Sequence, residues 1–542
     1  MTATTSGSAG ILGKIRTVAD HAQVHDDGRV ITVSVPEGEL EALVHLLAST
    51  EGVRLADVFA SEEASGENEV RRGGGPVRLR LVWGLDTSGR YLIAESPVEG
   101  ERYPSLSDIA PAAFTEECEI YEQFGIRPDS DKPLNRVVLP PHAGPDFPRL
   151  GHAPAQPPAE VHAPHFVGGQ AFEFPVGPVR QAGAESLYYG LVTSGEEVVD
   201  LYLFTWHKHR GVEWRLRGRT ARDALFLVER MEGLSAVANA WAFAAAVESA
   251  AGIEPDRQAL RRRAIALELE RLYNHSAALA ALCQTTGLSV GQSAAEIALE
   301  RFLRVNAAAF GHRYLFGAVD VGSTGRVPDL ARLGSDLPGA YDELCRAADA
   351  LLGTNSFVDR LEATGIVSTE QSVRLGLVGP VARASGTAID TRADHPCAPY
   401  LECHPATVTR ADGDVLARLQ VMLGEAAESV RLIRELAGAS AGAGPATAGS
   451  LADAAEGPGL ADGRLPGGGA AGSGLGCAES SRGESLAWVA FDGAGRISRV
   501  RLRPAAVRNW RGFDDACRSQ NVFTDIPIIE ASFWLTVAGT AR

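Results

Sequence analysis

The segment Glu229-Arg230-Met231-Glu232-Gly233-Leu234-Ser235 and the closing segment Ser532-Phe533-Trp534-Leu535-Thr536-Val537-Ala538-Gly539-Thr540-Ala541-Arg542 frame the second half of this 542-residue chain. Each carries a pair of positions three residues apart, Glu232 and Ser235 in the first, Thr536 and Gly539 in the second. Outward from the first segment the pattern is helical. Ala221 to Ala250, Asp256 to Leu282, Ser293 to Phe310, Pro338 to Arg360 and Asp414 to Leu436 place apolar residues at three- and four-residue spacing, as at Ile265, Leu269 and Leu272. Ahead of these helices, Phe172 to Pro178, Ser186 to Thr193 and Glu197 to Phe204 alternate like strands. Behind them, Leu486 to Phe491 and Ile497 to Leu502 read as a hairpin across Asp492-Gly493-Ala494-Gly495.

The first half reads differently. Residues 1–26 are expected as a loose arm, followed by a small domain over 27–141 in which Arg29 to Val35, Pro76 to Trp83 and Arg90 to Ala94 are strands and Leu40 to Leu47 a helix. Residues 142–171, rich in Pro, His and Ala, read as a linker. Residues 172–542 form the second domain, with a Gly- and Ala-dominated insertion over 437–481 that carries too little apolar surface to order itself. The fold class expected is α+β, with a small α/β N-terminal domain and a mainly helical second domain that has a small β-portion. A length of 542 residues suits two or three domains.

Composition excludes several functions. A net charge of -17 argues against a nucleic-acid binder, which needs clustered Lys and Arg to neutralise phosphates. No apolar run reaches the ~20 residues of a membrane span, and Met1 to Gly13 has no signal-peptide pattern. The seven cysteines are scattered and form no C-x-x-C pair, so neither a disulfide framework nor a cluster held by this chain is expected.

A set of motifs carries a resemblance. Phe174-Pro175-Val176-Gly177-Pro178-Val179, His209-Arg210-Gly211-Val212-Glu213, Glu270-Arg271-Leu272-Tyr273-Asn274-His275, Gly311-His312-Arg313, Arg383-Ala384-Ser385-Gly386 with Asp390 and Arg392, Glu479-Ser480-Ser481-Arg482-Gly483-Glu484 and Thr524-Asp525-Ile526-Pro527 occur in this order. Together they resemble the large subunits of membrane-bound [NiFe] hydrogenases of the hydrogenase-4 and formate hydrogenlyase type, and the 49 kDa subunit of respiratory complex I. Tyr103 to Ile109, Pro111 to Phe114 and Glu119 to Ile126 are similar to the complex I 30 kDa subunit, so the chain looks like a fusion of the two. The helix-and-turn residues of this stretch are read as core, not catalytic.

The resemblance also shows what is missing. The family writes the two framing segments as E-R-x-C-G-x-C and D-P-C-x-x-C-T-x-R; here the four cysteine positions hold Glu232, Ser235, Thr536 and Gly539. Nickel and low-spin iron need soft thiolates, which Glu, Ser, Thr and Gly cannot replace. In the family a cleavable tail follows the terminal motif; with Arg542 the last residue given, none is expected here, which would fit a chain not matured with nickel. The His and Tyr that complex I uses at its quinone correspond to Ala184 and Gly233, so the usual quinone contacts are absent as well.

The polar residues expected to converge on the old site are Glu213, Arg230, Glu232, Arg482 and Asp525. They would either relay protons or bind a small polar ligand, or form a self-satisfied ion network. No metal or other cofactor is expected in this chain. The resemblance implies a subunit of an oxidoreductase, with a [4Fe-4S] cluster in an iron–sulfur partner and with proton-translocating membrane subunits. It would lie peripherally on the inner, cytoplasmic face of the plasma membrane. His395, Cys397, Cys403 and His404 match no standard zinc spacing and read as a loop with incidental thiols. His207 and His209 are expected on one face of a strand, without a metal role.

Overall fold

The computed structural model describes residues 4–62, 76–158, 171–180, 185–441, 472–518 and 520–542. The N-terminal domain is a five-stranded sheet in the order Gln23–Asp26, Val30–Ser34, Arg90–Pro97, Val77–Leu85, Val53–Glu62. Within it, only the pair Val30–Ser34 and Arg90–Pro97 is parallel. The helices Thr4–Val18 and Glu37–Ser49 cover one face, burying Ile15, Leu40, Leu43 and Leu47 against Val33, Leu79 and Leu92. Over residues 4–26 the chain is therefore not a loose arm, and residues 1–3 lie outside the described residues. Ile11 and Ile15, four apart, are apolar anchors for a helix docked on the sheet, and Gln23–Asp26 adds an edge strand.

The helix Phe114–Phe124 ends at Gly125, whose φ of 74° suits the left-handed cap. Its glutamates Glu116, Glu117, Glu119 and Glu122 are all buried. The expected linker is partly packed against this helix: Gly151 N donates to Gln123 O at 3.0 Å, and Leu150 is buried. Residues 159–170 lie outside the described residues.

The second domain opens with an antiparallel sheet of Glu197–Phe204, Tyr188–Ser194 and Ala171–Val176. Its helical body is built round Arg257–Thr285, which contacts Ser289–Phe310, Val415–Ala441 and Ile526–Phe533. Two helices expected as single runs are interrupted. Ala221–Val228 and Ala236–Ala251 are separated by the Glu229–Ser235 segment, and Leu330–Leu352, which passes through Pro338, is followed by a separate Asn355–Leu361.

The low-complexity reading of 437–481 fails at both ends. The preceding helix continues to Ala441, and Ser473–Ser480 is a strand paired with Gly483–Phe491, which pairs in turn with Ile497–Arg503. Residues 442–471 lie outside the described residues. The glycines that made the segment look unstructured have a packing role. A Cβ at Gly474 or Gly476 would run into the backbone of Ala236–Ala251, so only glycine lets strand and helix approach this closely.

The two domains meet face to face. Ala56, Phe59, Val82, Tyr91 and Ile93 of the first sheet pack on Leu475, Leu486 and Trp488 of the second domain. Beside this apolar contact, Arg501 donates to Asp57 at 2.8 and 2.9 Å and to Glu119 at 2.7 Å, all three being buried.

Candidate functional site

The Glu229–Ser235 loop and the C-terminal segment are brought together by the start of the Ala236–Ala251 helix, the Ser480-to-Gly483 turn and the short helix Val537–Thr540. Glu232 is at the centre. Its Oε1 accepts from Arg482 Nη2 at 2.8 Å and from Asn239 Nδ2 at 3.1 Å; its Oε2 accepts from the Thr536 hydroxyl. Arg482 Nη2 also donates to Ser235 Oγ. Gly539 N donates to Thr536 Oγ1 at 3.3 Å, and a Cβ at Gly539 would collide with the Glu232 carboxylate. Glu232, Ser235, Thr536 and Gly539, the four positions set against the family's cysteine pattern, thus touch one buried cluster closed by Arg482. Its donor set is one carboxylate, two hydroxyls and a guanidinium, with no thiol. Arg482 Nε and Nη1 have no hydrogen-bond partner among the described residues.

Local structure explains this placement. The Ala236–Ala251 helix leaves its first N–H groups unsatisfied, and the Glu270 carboxylate accepts from Val237 N at 2.7 Å and Ala238 N at 3.1 Å. Burial pushes the Glu270 carboxyl up to about 8 against the pull of those two N–H groups. Asn274, on the next turn of the same long helix, donates to Leu234 O at 2.8 Å and so ties down the loop. The C-terminal segment is held by Glu185, which accepts from Val537 N and from Ala538 N at 3.1 Å. Arg210 bridges the two segments through Met231 O and, at 3.1 Å, Ala538 O.

Of the five residues expected to converge, two do: Glu232 and Arg482. Arg230 points away, paired with Glu229 at 2.7 Å and stacked over Phe226. Asp525 stays at the start of the Ile526–Phe533 helix, accepting from Val522 N at 3.0 Å with Arg360 at 3.4 Å. Glu213 belongs to the domain junction. It accepts from Arg499 Nη1 and Arg542 Nε, each at 2.8 Å, and from Leu502 N at 2.9 Å. Arg542 reaches on to both oxygens of Glu119 at 2.8 Å. Burial raises the Glu119 carboxyl, but Arg501 and Arg542 outweigh it and hold the group at about 2. The ordered spacing located the right segments. It gave no information on which way each side chain turns.

Asn239, Arg210, Glu185 and Glu270 were not singled out as site residues by the sequence. Glu270 had a signal, as the first letter of its motif, whereas Glu185 had none. Gly233 is exposed with open space where a side chain would stand, and Ala184 lies outside the described residues. His207 is on a short 3-10 turn, Trp206–Lys208, with His209 just after it, not on a strand, because the strand ends at Phe204. Burial lowers His209 to about 4. His395 is engaged with Asp86 at 3.1 Å. Among the described residues no group of three or more His, Cys, Asp or Glu is arranged to hold a metal ion.

Fold and site together define a protein with the architecture of a hydrogenase or complex I large subunit, joined to a complex I-type N-terminal domain. The family model of the respiratory-chain NADH dehydrogenase 49 kDa subunit matches residues 329–451, and that of the 30 kDa subunit matches residues 33–156. Formate hydrogenlyase subunit 5 of Escherichia coli (strain K12) is 27% identical over 95% of this chain and 89% of its own length. The carbon monoxide-induced hydrogenase of Rhodospirillum rubrum is 29% identical over 68% of this chain and 99% of its own. An NADH-quinone oxidoreductase subunit of Streptomyces coelicolor is 30% identical over 46% of this chain and 67% of its own. Among solved structures, a chain of the membrane-bound sulfane sulfur reductase, an archaeal respiratory membrane complex, superposes with a TM-score of 0.62 at 22% identity, covering 70% of this chain and 100% of that one. This protein belongs to the family of complex I 49 kDa subunits and membrane-bound hydrogenase large subunits, in the form fused to a 30 kDa-type domain. Among the described residues no helix is long and apolar enough to cross a membrane.

Proposed function

We propose that this chain is the large subunit of a complex I-like, energy-converting hydrogenase-related membrane oxidoreductase, and that it holds no nickel–iron centre of its own. The observation that carries this reading is the Glu232–Arg482 cluster. The donors present do not fit a [NiFe] centre: they are hard oxygen atoms where the metal pair requires soft thiolates. A guanidinium 2.8 Å from Glu232 also sets a fixed positive charge where a cation would have to bind. What the residues can do is hold a proton or a small hydrogen-bond acceptor against Arg482, whose Nε and Nη1 have no partner among the described residues. In this reading the chain docks on an iron–sulfur partner carrying a [4Fe-4S] cluster and, with it, on proton-translocating membrane subunits at the cytoplasmic face.

Mass spectrometry of what co-purifies with a tagged chain from mildly solubilised native membranes tests the assembly. A small iron–sulfur protein and multi-spanning subunits are expected; the chain alone, from the soluble fraction, overturns the reading. Nickel and iron analysis of the separated chain tests the site, and stoichiometric nickel would refute it. The second reading, a structural or coupling subunit without redox chemistry, is favoured if Glu232→Gln leaves the activity of the intact complex unchanged; an NADH-quinone oxidoreductase-type subunit with an altered quinone site is the other alternative.

A further inference from the structure

Apart from the Glu232 cluster, the second domain seals in another set of charges. Arg271, Arg383 and Arg392 meet Glu268, Glu425, Glu479 and Asp390, and among the described residues every ion pair of these seven falls within the set or on His275. The side chains, His275 included, are at most 1% exposed. Four carboxylates face three guanidiniums. With every acid ionised and His275 neutral, the set would hold one negative charge too many. A charge sealed from water without a partner is costly, and the group takes up a proton instead.

Which group holds it follows from the contacts. Asp390 lies in the fork of Arg392, at 3.0 and 2.7 Å. Glu268 takes Arg271 at 3.2 Å and Arg392 at 3.0 Å, with the Tyr400 and Ser429 hydroxyls at 2.7 and 2.6 Å. Glu425 takes Arg383 at 2.8 Å and His275 at 3.0 Å, with Arg271 at 3.5 Å. Glu479 has least: one N–H of Arg383 at 2.8 Å and the backbone N–H of Thr391 at 3.2 Å. Arg271 gives its other N–H groups to the Glu479 and Ser480 carbonyls instead, at 2.7 and 2.9 Å. Opposite Glu479 on the neighbouring strand stands Glu484, a carboxylate paired with Arg54 and Arg503. A like charge across the ladder favours the neutral form of Glu479. Cys477, two residues back on the same strand, is a thiol that burial pushes up to about 12, so it brings no charge. The Thr391 hydroxyl is buried without a partner among the described residues, an unused acceptor on the residue whose N–H already meets this carboxyl. The electrostatics run the same way. Burial pushes the Glu479 carboxyl up against the pull of Arg383. Burial also raises Asp390, Glu268 and Glu425, but there the guanidiniums outweigh it and hold all three low. Burial lowers His275 despite Glu425.

We propose that Glu479 is a proton-binding site, a neutral carboxylic acid that carries the one proton balancing the sealed set. Its strand, Ser473–Ser480, runs straight into the turn that presents Arg482 to Glu232, and Arg271 clamps both carbonyls on the way. Loss of the proton leaves one uncompensated negative charge at the base of that turn. A proton stored or released here therefore changes the field on the Glu232–Arg482 pair. The inference concerns this chain alone and does not depend on its assembly or on the nickel question.

Infrared difference spectroscopy of the purified full chain near neutral pH is the test, because the carbonyl stretch of a protonated carboxyl stands apart from those of carboxylates and amides. Glu479→Gln keeps the shape and the neutrality of the acid, so it should fold as the native chain does and lose one carboxylic-acid band. Glu270 and Glu122, pushed up to about 8, give acid bands in both proteins, which cancel. Asp390→Asn brings the set to three charges of each sign; Glu479 should then ionise, and the same band should vanish although residue 479 is untouched. In a pH series of melts the native chain should lose stability relative to Glu479→Gln as pH rises, since a folded value above the unfolded one favours folding only while the proton is held. A spectrum in which Glu479→Gln removes no acid band overturns the proposal. Persistence of the band in a folded Asp390→Asn chain refutes the charge balance on which it rests. A His275 imidazolium near neutral pH, seen in nitrogen NMR spectra of the histidine-labelled chain and absent from His275→Gln, also overturns it, since the proton would then sit there.

Discussion

Replacing Arg482 by Met probes the cluster most directly. Native Arg482 and Glu232 side chains are 2% and 0% exposed and 2.8 Å apart. Removing the guanidinium leaves a carboxylate in a dry site with Asn239 and Thr536 as its remaining donors. Breaking a buried pair from one side costs about 3–5 kcal/mol. The two neutral donors, each worth about 1 kcal/mol, place the expected loss at the low end, about 3 kcal/mol. Glu232→Gln should lose a similar amount, since it leaves the buried Arg482 without a counter-charge, facing only the neutral amide oxygen and Ser235. The double variant, which removes both charges, should lose far less than the two single losses together, with a coupling energy of roughly 2–3 kcal/mol. If the chain melts as one unit, an unfolding entropy of about 2.1 cal/mol/K per residue turns 3 kcal/mol into a fall of roughly 3 °C in Tm. Calorimetry of the four proteins at one pH measures the cycle. Additive losses, each under about 1 kcal/mol, would refute the reasoning, because they would mean that neither charge is buried against the other.

Three further outcomes follow from the geometry. Gly539→Ala forces a methyl into the Glu232 carboxylate, which Arg482, Asn239 and Thr536 hold in place, so a loss of about 1–3 kcal/mol is expected; Glu232→Ala in the same chain should recover most of it in thermal melts. Burial raises the Glu122 carboxyl to about 8 against the Val138 N–H at 2.8 Å, and its Oε1 has no partner among the described residues. A folded value above the unfolded one, about 4.3, favours the folded state at low pH, with that contribution lost as pH rises through about 8; Glu122→Gln should flatten this fall in a pH series of melts, and an unchanged slope would assign it to other groups. Arg501→Met strands Asp57 and leaves Glu119 to Arg542 at the domain seam, so a loss of about 3–5 kcal/mol is expected, read as earlier proteolysis at the domain boundary, with native-like protection counting against the role of this pair in docking.

Much of the fold was legible because periodicity is set by burial. The apolar spacing at Ile265, Leu269 and Leu272 marks the helix Arg257–Thr285, whose central turns are all buried. The errors come from places where tertiary contacts override local composition. Thr4–Val18 is rich in small residues with few apolar ones, so its two isoleucines mark a helix only once the sheet that receives them is in place. Ser473–Ser480 looked like more of the Gly/Ala tract because glycine there answers to the backbone of a helix more than two hundred residues earlier in the sequence. The break between Ala221–Val228 and Ala236–Ala251 falls on the Glu229–Ser235 segment, where a carboxylate from the long helix, Glu270, caps the second piece.

For the site, motifs supplied positions and the structure supplied directions. Glu232, Ser235, Thr536 and Gly539 were legible as a set because the framing segments kept their spacing. That the set behaves as one packing solution was not legible. Glu232 is longer than the cysteine of the family pattern and reaches the volume a Gly539 side chain would need. Thr536 turns its hydroxyl onto the same carboxylate, and Arg482 supplies the charge that lets the carboxylate stay buried. Each substitution therefore makes sense only with the others in place. A cysteine placed at position 539 alone should clash with Glu232, and one placed at position 232 alone should leave Arg482 without its counter-charge. The four positions are thus interlocked by packing and by charge.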